Sequence, residues 1–103
     1  MVDLKLPLAR YIEEFNYLPA LTAVHLPETL EIANYSLRGN SKLEEVYLPK
    51  VKTIGDYAFD NDSALLSIDL PEAENIGSSA FSRCTSLEKV RVKNNKTISM
   101  LRK

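Results

Sequence analysis

A chain of 103 residues suits one domain built around an elongated core. Its 45% hydrophobic and 26% charged residues exclude a disordered polar chain, and a net charge of −1 excludes a general binder of nucleic acid or anionic membrane. The lone Cys84 excludes an internal disulfide, and no window holds the roughly 18 consecutive apolar residues of a membrane span.

The chain opens on Met1-Val2-Asp3, a strand-like pattern without the charged and apolar runs of a signal peptide, so the protein is read as intracellular or as cut from a longer one. Val2 and Leu4 stand 22 residues before Val24 and Leu26 and predict a short first strand. From Pro7 to Tyr17, the residues Leu8, Ile12 and Phe15 lie at helical spacing, which predicts a short helix closed by Pro19. Residues 1–20 thus read as a degenerate first repeat or cap.

Beyond them the chain repeats itself. Residues 43–64, LEEVYLPKVKTIGDYAFDNDSA, and residues 65–86, LLSIDLPEAENIGSSAFSRCTS, share the leucine, the L-P pair, the I-G pair and the A-F pair at an offset of 22 without a gap. Residues 21–42 are a looser copy, and 87–103 open a partial one with Leu87, Val90, Val92 and Ile98. A fixed period of this size marks a solenoid, each unit needing its neighbours to bury its apolar side. In each copy period-2 alternation predicts a short strand, so that Val24, Val46, Ile68 and Val90 form one buried column of a parallel ladder. Pro27, Pro49 and Pro71 end the strands; Lys93 in the fourth copy lets the strand run on. Val51 and Ile54 return the chain on the far side, and Gly55 and Gly77 take a tight or positive-φ position. The segments 56–62 and 78–84 read as one or two helical turns, capped by Asp56 and Ser78, with Phe59 and Phe81 filling the wedge.

The pattern L-x-x-V-x-L-P-x-x-x-x-I-G-x-x-A-F-x-x-C-x-x resembles the BspA-like, or treponemal-type, leucine-rich repeats, closely over 43–87, loosely over 21–42 and in part over 88–98. Thr29, Val51 and Ala73 stand where commoner leucine-rich repeats place Asn or Cys. The resemblance implies an α/β fold, a right-handed β-α superhelix, of a kind often found in bacterial or protozoan surface proteins that bind host or matrix proteins, and so a cell-surface or secreted location. Two departures stand out: the family's Cys column holds Asn40 and Asp62 before Cys84, and the copies are about one residue short between Pro and Ile.

Few residues invite chemistry. His25 and Cys84 could be named base and nucleophile, but repeat position puts His25 on an outer strand face and Cys84 at the core. One His and one Cys make no tetrahedral metal site, the adjacent pairs Glu13-Glu14 and Glu44-Glu45 diverge, and no Gly-rich phosphate loop is present. No catalytic residue, cofactor or metal is therefore expected. The strand face carries the remaining information, one outward column reading Asp3, His25, Tyr47, Asp69, Arg91 and its neighbour Ala23, Glu45, Ser67, Lys89. Solvated strand residues in a structural spacer would read the same way. The alternative is a concave face binding a protein partner through His25, Glu45, Tyr47, Asp69, Lys89 and Arg91, with Tyr47 as anchor. At the C-terminal end Lys89, Arg91, Lys93, Lys96, Arg102 and Lys103 face only Glu88, a solvated basic end or an RNA- or phosphate-binding tail. The fourth copy stops before any A-F pair, leaving only Met100 and Leu101 to cover the last rung, so the chain is expected to be a fragment or to self-associate through an open strand edge.

Overall fold

The computed structural model describes residues 2–92 and 96–99. Ten strands run in chain order: β1 Val2–Lys5, β2 Tyr11–Ile12, β3 Leu21–His25, β4 Glu31–Ile32, β5 Glu45–Tyr47, β6 Thr53–Ile54, β7 Ser67–Asp69, β8 Asn75–Ile76, β9 Lys89–Val92 and β10 Lys96–Ser99. The strands form two sheets, the odd-numbered strands and β10 in one, ordered β1-β3-β5-β7-β9-β10, and the remaining even-numbered strands in the other, ordered β2-β4-β6-β8, parallel throughout except for the antiparallel β9–β10 pair. The chain is thus a parallel-strand solenoid, each of the first four coils giving one strand to each sheet.

The expected column holds: Val24 faces Val46 and Ile68 faces Val90, with Tyr47 opposite Asp69 linking the two pairs. Val24, Ile68 and Val90 are buried and Val46 is half-buried against the core. Leu21, Leu43, Leu65 and Leu87 fill a second buried column, Leu26, Leu48 and Leu70 a third. Across the core Ile12, Ile32, Ile54 and Ile76 register in the second sheet. The Phe59 and Phe81 rings stack between the layers at 5.3 Å.

Three expectations are corrected. First, the described residues contain no helix. Residues 55–62 are consecutive turns: the amides of Ala58, Asp60 and Asp62 close onto Gly55, Tyr57 and Phe59, while those of Tyr57, Phe59 and Asn61 donate sideways to Ser78, Ala80 and Ser82. The same sideways bonds join Tyr35, Leu37 and Gly39 to Asp56, Ala58 and Asp60. A helix would spend those donors on itself, and its diameter of about 10 Å exceeds the strand spacing of about 4.8 Å that the sheets impose. The layer that would splay a β-α superhelix into a curve is absent, and with it that source of a concave strand face.

Second, the helix over Pro7–Tyr17 is replaced by β2; Ile12 seats opposite Ile32, and Leu8 is 83% exposed. The first coil is also two residues shorter than read. Leu4 pairs with Val24 and Lys5 with His25, so Asp3 lies opposite Ala23 and not in the His25 column. The deficit is recovered at Glu13-Glu14, where Glu14 takes φ 68°, after which the Phe15 amide donates to Ser36 in step with the later coils.

Third, the far edge of β9 is not open, because β10 pairs with it, placing Ile98 opposite Val90 and not in the Ile32–Ile54–Ile76 column. Lys93, Met100, Leu101, Arg102 and Lys103 lie outside the described residues.

Gly55 and Gly77 serve close approach alone. Neither has positive φ, yet a Cβ at Gly55 would sit 2.5 Å from the Asn34 backbone nitrogen, and one at Gly77 2.5 Å from that of Asp56. The left-handed positions fall elsewhere, at Tyr35, Tyr57 and Ser79 in one column and at Tyr17, Gly39, Asn61 and Arg83 in another.

Candidate functional site

The outward positions of β1, β3, β5, β7 and β9 form the strand face. Because Pro7, Pro27 and Pro49 end β1, β3 and β5, the chain turns away there and leaves the strand ends bordered by flat rings. Lys5, Pro7, His25, Pro27, Glu45 and Tyr47 line a shallow groove of ≈ 490 Å³. Its lining is mostly apolar, supplied by the proline and tyrosine rings, and Tyr47 is 53% exposed. His25 is held on both sides: Nδ1 lies 3.0 Å from Asp3 Oδ1 and Nε2 2.7 Å from Glu45 Oε2, with the ring edge-on to Tyr47 at 6.2 Å. A second groove of ≈ 570 Å³ lies further along the same face, lined by Leu66, Ser67, Ile68, Asp69, Glu88, Lys89 and Arg91. Asp69 and Arg91 approach to 3.9 Å, an exposed contact worth roughly 0–1 kcal/mol that a partner can displace.

The six residues singled out from the sequence therefore divide between two grooves on one face: His25, Glu45 and Tyr47 in the first, Asp69, Lys89 and Arg91 in the second. Lys5 and Pro7 were missed with the slipped register of the first coil, and Pro27 was read only as a strand end. The signal was there: Leu6-Pro7 repeats as Leu26-Pro27 at an offset of 20.

Cys84 is not brought to His25. It is buried, its Sγ donates to the Phe59 carbonyl at 3.0 Å, and burial pushes the thiol up to about 12. It packs as a small hydrophobe. No group of three or more His, Cys, Asp or Glu among the described residues is placed to hold a metal ion, and they contain no helix long and apolar enough to cross a membrane.

A solenoid whose coils each give one strand to a continuous outer face, with grooves across neighbouring rungs, belongs to the class of repeat proteins that present an extended surface. A family model described as BspA type leucine rich repeat region (6 copies) matches residues 11–101. The chain belongs to this family of leucine-rich repeats, which are generally non-enzymatic protein-interaction modules. Neither the curated proteins nor the solved structures yield a match.

Proposed function

We propose that the protein is a non-enzymatic interaction module that binds a protein partner through the strand face, as part of a larger bacterial surface or adhesin-like protein. The observation that carries this reading is the grouping of His25, Glu45, Tyr47, Asp69, Lys89 and Arg91 in two adjacent grooves on one face. Membership of a repeat family typical of surface or secreted proteins supports the setting. Tyr and Arg are the residue types that dominate binding energy in interfaces, and Tyr47 and Arg91 are both exposed.

The test is a peptide library displayed on phage and selected against the chain, the recovered peptide then being titrated into the parent and into Tyr47→Ala/Arg91→Ala. Binding weakens by about tenfold or more, because two anchors are lost. The melting temperature moves by no more than about 4–8 °C, because each of the two surface substitutions sits within about 0.5 kcal/mol. Equal affinity for both proteins removes the strand face and leaves a structural spacer with no partner of its own.

A further inference from the structure

The turn layer carries a second cluster, away from the strand face. Asp60 is buried, and three bonds from two arginines end on its carboxylate: Arg38 Nε at 2.9 Å, Arg83 Nε at 3.1 Å and Arg83 Nη2 at 2.8 Å. The hydrogen bonds from Arg83 hold Asp60 below the usual carboxylate range, which favours the anion that grips them. The Arg38 guanidinium lies 5.7 Å from the Tyr17 ring centre and 5.1 Å from that of Tyr35, and Tyr35 stacks on Tyr57 at 5.2 Å with planes 2° apart. Two guanidinium groups are thereby fixed by their inner edges, while both Nη groups of Arg38 and Nη1 of Arg83 have no acceptor among the described residues.

The backbone adds an independent observation. Tyr17, Tyr35, Tyr57 and Arg83 all have φ between 55° and 63°, a left-handed conformation that is costly for a bulky side chain. The same columns hold Gly39, Asn61 and Ser79, residues better suited to those turns. Tyr17 and Tyr35 remain 57% and 42% exposed, so burial offsets little of the strain. Strain kept at exposed positions points to use of the side chain rather than to packing.

We infer that this cluster is a second docking surface, one that receives a carboxylate side chain from an acidic segment of a protein partner between the forked arginines, flanked by the tyrosine rings. The planar fork matches a carboxylate, and Arg with Tyr is the composition of protein hot spots. Two cations against a buried Asp60 and the exposed Asp56 make no basic stripe of the kind a nucleic acid or sulfated polysaccharide requires.

The test titrates a labelled octaglutamate peptide by fluorescence anisotropy into the parent, into Tyr35→Asn/Tyr57→Asn, and into Arg83→Lys, which keeps a charge beside Asp60. Octaserine is the control. The parent binds octaglutamate, both variants bind it about tenfold more weakly, and the tyrosine variant melts no lower than the parent because Asn accepts the left-handed turn. Amide shifts on binding centre on Arg38 and Arg83. Absence of binding above octaserine overturns the proposal, as do equal affinities or shifts confined to the strand face. Displacement of the peptide by inorganic sulfate at millimolar concentration, or tighter tyrosine-dependent binding of heparin, assigns the arginines to another anion and equally overturns it.

Discussion

Asp62 is the residue whose environment least fits its side chain. It is fully buried in the column between Asn40 and Cys84, where Oδ1 accepts the Asn40 amide at 2.7 Å and Oδ2 has no partner among the described residues. Burial pushes its carboxyl up to about 8, against the Asn40 bond and with help from nearby Asp60. A carboxyl raised in the folded state favours the fold below the ordinary value near 3.8, and that contribution drains away as pH rises toward about 8, at up to about 1.4 kcal/mol per pH unit. Asp60 acts oppositely, its contribution being lost only on acidification below the same ordinary value. Asn40 shows what the column prefers, its amide donating to the Leu37 and Phe15 carbonyls at 3.0 Å each. By repeat position Asn at 62 would meet Phe59 and Leu37. Asp62→Asn should therefore add about 1–3 kcal/mol at pH 7 and flatten the decline of stability between pH 4 and 8, measured by urea denaturation across pH. An unchanged pH slope would place the titration elsewhere. The 22-residue register already set Asp62 in the column of Cys84, but the oxygen left without a partner there was not legible. The six strand-face residues were, because period-2 alternation alone puts them outward.

Among elements, the first-sheet strands of the regular copies were legible, whereas the turns and β2 were not. Val46-x-Leu48 followed by Pro49 states a strand and its end within four residues. The stretch Asp56–Asp62 places Ala58 and Phe59 side by side and offers no Gly or Asn at position 57, where the backbone needs a left-handed residue; Tyr57 stands there instead. The close approach at Gly55 gives this element a direct test. Gly55→Ala puts a methyl 2.5 Å from a backbone nitrogen that cannot swing aside, so the denaturation midpoint should fall by the equivalent of about 1–3 kcal/mol with the slope unchanged. Ala33→Gly, at the matching position one coil earlier, should cost less than about 1 kcal/mol. Equal losses at the two sites would mean that the spacing between coils is set by something other than this contact.

At the scale of the whole molecule, contacts join only neighbouring coils, so stability should grade from the middle outward. Hydrogen exchange should be slowest at the Leu37 and Phe59 amides, each bonded to the next coil at 2.9 and 2.8 Å, and fastest in residues 7–10, where Leu8 is solvated. Uniform protection would make the array one cooperative block. The solenoid itself was legible from the 22-residue echo, whereas the antiparallel return of β10 was not, because Ile98 fits the period while its backbone leaves it. The sideways bonds of the turn layer have a direction. Tyr35, Leu37 and Gly39 give their hydrogens to the following coil, as Tyr57, Phe59 and Asn61 do in turn, whereas in the second sheet Gly55 and Gly77 give theirs back to Ile32 and Ile54. On the ribosome, then, each coil emerges with donors at its return strand that find carbonyls already waiting, and with turn amides that stay unanswered until the next coil is made. Growth in the order of translation answers every donor in sequence, while loss of a coil from the C-terminal side strands three N–H groups. Loss from the N-terminal side strands carbonyls on that layer and, in the second sheet, return-strand donors such as Lys52, Thr53 and Gly55, which point back to Leu30 and Ile32. Each layer of the array therefore leaves its donors open at one end, the turn layer on the C-terminal side and the second sheet on the N-terminal side.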